Sequence, residues 1–321
     1  MKILDLFCGA GGFFHGFSSL SYDNHLAIDI DEDALETYRI NYSNATVLQT
    51  DINNLHSQQI VEELGGNPDI IIASPPCEEF SKANPDSQRS VAERIYGEGT
   101  AKLLLDAIRI IGDLAPTIFV IENVAALLLD GGKEIVRREF ERVDIDNVEF
   151  NLIRAHQHGN PSKRLRVFIS NIRLKPPRKY PPTVMETIGD LPSLDINEIF
   201  NPGETIPNHE VYPLADDKMT SVRKTRWGQG AKHFRVSKKR SLPNWVRLFP
   251  DRFATSINGL SRYVHPYEDR LLSVREHARL MSYPDSFVFH GPLDSQYNQV
   301  GESVPPLISH LIAQEVRAHI E

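Results

Sequence analysis

Two cysteines in 321 residues, Cys8 and Cys77, provide neither a disulfide framework nor a cysteine-built zinc site. Thiols kept free suit a reducing compartment. No apolar run approaches the roughly 18 residues of a membrane span, and Met1-Lys2-Ile3-Leu4-Asp5 is too charged to open a secretory signal. A soluble, cytoplasmic protein is expected, with no membrane and no metal among its partners. No internal repeat and no heptad run occurs, which sets aside solenoids and coiled coils. Positive charge is in deficit overall, the net charge being −8. That deficit is local. Residues 1–72 hold two basic and eleven acidic side chains, whereas 218–252 hold eleven basic ones and only Asp251 on the acidic side. Such asymmetry suggests an acidic, cofactor-type half and a basic face for a polyanion.

The chain is organised around Ser74-Pro75-Pro76-Cys77, which follows the apolar run Asp69-Ile70-Ile71-Ile72-Ala73. Three isoleucines bounded by Pro68 and a double proline read as a parallel-sheet strand buried on both faces. The prolines stop the strand and hold the backbone extended, so Cys77 is presented stiffly at the carboxyl edge of the sheet, where open α/β sheets bind ligands. An isolated cysteine is more often a small buried hydrophobe; its neighbours in the chain argue otherwise.

Lys2 to Phe7 reads as a first strand, followed by the turn Cys8-Gly9-Ala10-Gly11-Gly12 and a helical segment from Phe13 to Leu20. Strand, glycine turn and helix open a Rossmann-like unit, although the spacing G-x-G-x-x-G of dinucleotide sites is missing. A second strand ends at Asp29, placed to accept hydrogen bonds from ribose hydroxyls, or alternatively to cap the next helix, a task open to Asp31 and Asp33 as well. A third strand leads to Asp51-Ile52. An aromatic face and acids at successive strand ends favour an adenosine-containing cofactor over a pyrophosphate. Polar Glu78 to Gly99 reads as a lid. Thr117 to Ile121 forms another buried strand ending at Glu122-Asn123-Val124, beside the one that carries Cys77. In Arg164-Leu165-Arg166 the alternation places both arginines on one strand face. From Leu174 to about Arg252 prolines break every long element, and Trp227, Gln229, His233 and Phe234 stand among basic residues, a mixture suited to phosphate and base contacts.

These pieces in this order resemble the DNA cytosine-5 methyltransferases of restriction–modification type over essentially the whole chain. Asp5-Leu6-Phe7-Cys8-Gly9-Ala10-Gly11-Gly12 is similar to the family's S-adenosylmethionine motif, Pro75-Pro76-Cys77 to its nucleophile motif, Glu122-Asn123-Val124 to its acid motif and Lys163-Arg164-Leu165-Arg166 to its arginine motif. Leu272 to Leu280 and Gly301 to Pro306 resemble the last two motifs. The neighbours Glu78, Ser162 and Glu302 depart from the family, which usually has glutamine, glutamine and asparagine there.

The resemblance implies an α/β fold: a Rossmann-like S-adenosylmethionine-dependent methyltransferase sheet with a smaller, irregular target-recognition domain. The expected division is 1–172 and 256–321 for the catalytic domain and 173–255 for recognition. It implies S-adenosyl-L-methionine held by Phe7, Gly9, Gly11, Gly12, Asp29, Ile30, Asp51, Ile52, Pro75, Ser303 and Val304. Cys77, Glu122, Arg164 and Arg166 are the implied catalytic set, with Cys77 attacking carbon 6 of a cytosine flipped out of duplex DNA. Ser81, Arg223, Lys224, Arg226, Lys232 and Arg235 are the expected DNA contacts. Monomeric action on double-stranded DNA is expected, and whether a cognate restriction endonuclease accompanies the protein is left open. Transfer to tRNA is disfavoured by the missing Cys-Phe-Thr tripeptide, a silent binding module by the intact catalytic set, and a nicotinamide oxidoreductase by the pairing of Cys77 with Glu122.

Overall fold

A computed structural model describes residues 1–80, 89–194, 206–237 and 240–321, the side chains of 234–237, 240 and 242 excepted. Ser81 and the rest of 81–88 in the expected lid lie outside the described residues, as does the side chain of Arg235. The chain forms two compact units, the first comprising Met1–Arg154, Leu165–Pro177 and Ile308–Glu321, the second Ala155–Arg164 and Arg178–Leu307. The stretch from 256 onward is thus divided, and only its last fourteen residues cluster with the first unit.

In the first unit, β1 (Lys2–Leu6), α1 (Phe14–Phe17), β2 (Asn24–Asp29), α2 (Glu32–Asn41), β3 (Thr46–Gln49), α3 (Ser57–Leu64) and β4 (Ile70–Ala73) come first. They are followed by α4 (Val91–Ile95), α5 (Leu103–Leu114), β5 (Ile118–Val124), α6 (Gly132–Glu141), β6 (Glu149–Arg154) and β7 (Leu165–Ser170). The seven strands make one sheet in the order β3-β2-β1-β4-β5-β7-β6, with β7 antiparallel to both its neighbours. Side chains of β4 are fully buried, as a run without polar residues in a sheet covered on both faces requires. Leu6 pairs with Ile28 and Ala73, and Ala73 with Ile121. This register brings Phe7, Asp29, Ser74 and Glu122 to one carboxyl edge, around the β1/β4 point where strand order reverses.

Local chemistry sets the boundaries. Asp31 caps α2 by accepting from the Ala34 N–H at 2.9 Å, which leaves Asp29 free of that task. The helix expected from Phe13 to Leu20 is confined to α1, because Ser18 and Ser19 turn their hydroxyls back onto the carbonyls of His15 and Gly16. A Cβ on Gly16 would stand 2.2 Å from backbone at Ser309 and His310, so only glycine admits the final helix here. Ser309 hydrogen-bonds the Phe13 carbonyl and accepts from the Gly16 N–H.

The second unit carries α7 (Val184–Ile188), α8 (Asp216–Lys224), β8 (Gly230–Ser237), β9 (Arg240–Arg247), β10 (Tyr263–Val264), α9 (Val274–Leu280) and α10 (Leu293–Glu302); α11 (Pro306–Ile320) follows, lying mostly in the first unit. A three-stranded sheet, β10-β9-β8, has β8 and β9 within the expected irregular region and β10 beyond it. Pro243 hides β9 from sequence reading, since proline disfavours central strands. It is tolerated because β10 pairs only with Val246 and Arg247, leaving β9 an edge at Pro243. Capping boxes of Thr183 with Glu186 and Ser273 with Glu276 start α7 and α9. Buried Arg275 gives its guanidinium to the carbonyls of Pro207, Pro284 and Phe287. Among the described residues no helix is long and apolar enough to cross a membrane, and no cluster of His, Cys, Asp or Glu could hold a metal.

Candidate active site

The turn after β1 begins with strain. Phe7 is held at φ 55°, a left-handed conformation that costs a bulky residue about 1–3 kcal/mol. The Cys8 N–H to the Ile28 carbonyl (3.1 Å) and the Gly11 N–H to the Cys8 carbonyl (2.9 Å) hold it there. At Gly9 (φ +49°) an added Cβ would meet nothing within 4 Å, so backbone is bared to open space at the carboxyl edge. Gly11 is different: a Cβ there would stand 2.5 Å from Tyr42, so packing against Tyr38 and Tyr42 accounts for it. Gly12 is buried.

Asp29 accepts from three backbone N–H groups, of Gly9 at 2.8 Å, Ile30 at 2.7 Å and Asp31 at 3.0 Å. Burial pushes its carboxyl above the usual range, and these hydrogen bonds pull against the rise. Of about four acceptor directions on a carboxylate three are taken, leaving room for one hydroxyl rather than both of a ribose. Ile30 beside it is 65% exposed, an apolar surface left uncovered next to the turn. Asp51 caps a single helical turn by accepting from the Asn53 N–H at 3.0 Å, and Ile52 is in the core.

At the adjoining strand ends, Cys77 is half-buried and its carbonyl accepts from the Phe80 N–H at 3.0 Å. Pro75 is buried, and its carbonyl receives the Asn123 side-chain amide at 3.3 Å. Asn123, wholly buried in β5, also accepts from the Val124 N–H at 2.9 Å. It therefore ties the loop carrying Cys77 to the strand carrying Glu122, a role the sequence reading missed; an amide at the end of a buried strand had to find such partners. Glu79 accepts from the Ala101 N–H at 2.9 Å and pins the far side of the loop to the start of the helical segment that leads into α5.

Glu122 is 4% exposed, and Arg166 Nε lies 2.8 Å from its Oε1. The pair attracts as charges without hydrogen-bond alignment: among the described residues neither atom has an aligned partner. A carboxylate oxygen and a guanidinium N–H are thus buried together with unspent hydrogen-bonding capacity. Arg164 directly precedes β7, which begins at Leu165; it and Arg166 are both more buried than the Leu165 between them, yet their guanidinium groups serve different partners. That of Arg164 is fixed in the second unit by the carbonyls of Ile257 (3.2 Å), Gly301 (2.9 Å) and Glu302 (3.2 Å). Ser303, in the same unit, donates to the Val300 carbonyl, and Val304 is buried. Of the departures noted above, Glu78 and Glu302 are exposed, whereas Ser162 is fully buried and hydrogen-bonded by Asn160.

Arg223, Lys224, Arg226 and Lys232 are all exposed, with Lys232 Nζ 4.0 Å above the Trp245 ring. Buried Arg247, overlooked in the sequence among the surface cations, binds the carbonyls of Val222, Thr225, His265 and Glu268 together with the Asp269 carboxylate.

A family model described as C-5 cytosine-specific DNA methylase matches residues 1–318. The chain belongs to that family. Two relatives are named as type II methyltransferases. M.MJ0563P of Methanocaldococcus jannaschii is 39% identical over 329 residues, covering 100% of each chain. M.DdeI of Desulfomicrobium norvegicum is 27% identical over 381 residues, covering 100% of this chain and 89% of the relative. In fold, the chain is similar to an E. coli prophage-encoded protein given as a DNA modification methyltransferase (TM-score 0.78, 21% identity, 100% and 99% of the two chains). It is likewise similar to Spodoptera frugiperda DNMT2 (TM-score 0.64, 17% identity, 100% and 99%). This C-5 methylase is therefore an enzyme that methylates cytosine in DNA at carbon 5. Methyltransferases of this family and fold generally use S-adenosylmethionine. The bared backbone at Gly9, the remaining acceptor on Asp29 and the uncovered Ile30 fit an adenosine-bearing group.

Proposed function

We propose that Cys77 is the nucleophile of a covalent mechanism and that Glu122 and Arg166 stabilise the ring it attacks, within a specific duplex DNA sequence. The observation that carries this reading is the buried, unaligned pair of Glu122 on β5 and Arg166 on β7, with Asn123 fastening β5 to the Cys77 loop. Phe7, Gly9, Asp29, Ile30 and Asp51 would hold S-adenosylmethionine in the first unit. When bound it supplies an electrophilic methyl group.

The chemistry of the chain's own residues then follows. The Cys77 thiolate forms a bond to carbon 6 of the cytosine, and the ring electrons displaced make carbon 5 nucleophilic. Glu122 shares a proton with ring nitrogen 3, and an Arg166 N–H bonds the oxygen at position 2, so charge that develops during attack meets groups already in place. After methylation the proton leaves carbon 5, its electron pair re-forms the 5,6 double bond, and that bond expels Cys77 as thiolate. Arg164 serves as a positioning residue through the backbone at Ile257, Gly301 and Glu302.

Extruding a base costs a few kcal/mol, which phosphate contacts offset. Arg223, Lys224, Arg226, Lys232 and Arg235 would supply them, together with Ser81, which follows the nucleophile in the sequence. The test is bisulfite or nanopore sequencing of DNA from cells expressing the protein. Methylcytosine at carbon 5 within one recurrent sequence is expected; its absence while the protein is folded and expressed would overturn the reading.

A further inference from the structure

We propose that Trp227 and Tyr267 are the aromatic contact of the second unit with DNA, taking the face of an unstacked base while Arg223, Lys224 and Arg226 hold the flanking phosphates. The inference rests on the reading that this unit binds duplex DNA, and adds to it which side chains meet the bases. Trp227 is 46% exposed and Tyr267 63%. Neither ring is loosely tethered. The Trp227 indole N–H donates to the Pro266 carbonyl at 2.9 Å, and the two rings meet edge to face at 6.2 Å and 77°. Phe249 backs the indole at 6.5 Å, and a Cβ on Gly228 (φ +77°) would strike it at 2.7 Å, so the turn presenting Trp227 needs glycine there.

Buried Arg247 fastens the two presenting loops to each other. It binds the carbonyl of Thr225 on one side and those of His265 and Glu268 on the other. The Trp227 ring is thus held by its N–H, while much of the apolar area of the pair still faces water. Rigid half-exposed aromatic rings of this kind are the anchors of interfaces. Charge names the partner: residues 218–233 hold five cations and no acid. Nucleic acid offers anions and π-faces together, and aromatic side chains stack on bases irrespective of sequence.

The experiment uses the full chain and duplex fragments that the wild-type enzyme methylates, and follows tryptophan emission and binding across a salt series. Trp245 is buried, so the difference between wild type and Trp227→Phe isolates Trp227. The expected result is quenching by DNA in the wild type and its loss in Trp227→Phe, which still binds because phenylalanine stacks. Trp227→Ala and Tyr267→Ala should each weaken binding about tenfold, with the salt slope unchanged because no phosphate contact is removed. Unquenched wild-type emission, or parental affinity in a folded Trp227→Ala, would overturn the inference and assign the rings to a protein partner. If Trp227→Ala does not fold, the emission comparison decides alone. Failure of the wild type to methylate any DNA is a separate result, which removes the parent reading and this one with it.

Discussion

Arg166 Nε lies 2.8 Å from Glu122 Oε1, and neither atom has an aligned hydrogen-bond partner among the described residues. The pair is placed by β-sheet register, Val124 facing Arg166 and Glu122 facing Phe168 across β5 and β7. Its poor alignment leaves hydrogen-bonding capacity on both groups, which is the capacity the proposed mechanism draws on.

Glu122→Gln keeps the shape of the side chain and removes the proton exchange. It should lower kcat by about 10²–10⁴-fold while DNA affinity changes little. Arg166→Ala strands a buried carboxylate and should cost about 3–5 kcal/mol of stability. Steady-state kinetics and thermal melts on the two variants check both expectations, and a full-speed Glu122→Gln would remove the carboxyl from the chemistry.

Asn123→Ala deletes the tie to the Pro75 carbonyl and leaves that buried acceptor unpaired, a loss of about 1–3 kcal/mol. Because the tie positions the loop of Cys77 without touching the adenosine side, kcat should fall while the KM for S-adenosylmethionine stays near parental. An equal change in both constants would mean that Asn123 only supports the fold.

Reversing Arg223, Lys224 and Arg226 together should weaken DNA binding and flatten its dependence on salt. Each lost phosphate contact reduces the slope of log K against log salt by about 0.9. An unchanged slope would remove α8 and the turn after it from the interface.

His277 should make the protein acid-sensitive. Burial lowers its pKa from 6.5 to about 4. Its Nδ1–H faces the Ser273 carbonyl at 3.1 Å and its Nε2 has no partner among the described residues, so protonation would bury an unpaired N–H. With a folded pKa below the unfolded one, its contribution is intact above about pH 6.5 and is lost as pH falls toward 4, a decline of order 2–3 kcal/mol. Thermal melts from pH 7.5 to 4.5 should show less decline in His277→Leu than in wild type.

Much of the site was legible because strand ends carry their own punctuation. The isoleucine run and double proline marked β4, and Phe7, Asp29 and Glu122 each follow an apolar run, so their common edge could be expected before any coordinates. What stayed hidden depended on distant partners. Nothing local distinguishes Arg164, bound to carbonyls near 257 and 301, from Arg166, which meets a carboxylate two strands of sequence away. Arg247 stands in a basic run that reads as surface, yet tertiary packing buries it under two loops. Pro243 argued against the strand that contains it, because the shortness of β10 is invisible in sequence. The packing of two tyrosines against Gly11, which requires glycine there whatever it faces, has no local signature either.

The central claim is a transient bond between the Cys77 sulfur and a cytosine ring. Incubating the enzyme with S-adenosylmethionine and a methylatable duplex containing 5-fluorocytosine, then running a denaturing gel, tests it directly, since fluorine at carbon 5 blocks the proton loss that releases the enzyme. The account predicts a protein–DNA band of slowed mobility for the wild type and none for Cys77→Ser. A Cys77→Ser enzyme that methylates ordinary DNA at the parental rate, or an active wild type that forms no such band, would contradict it.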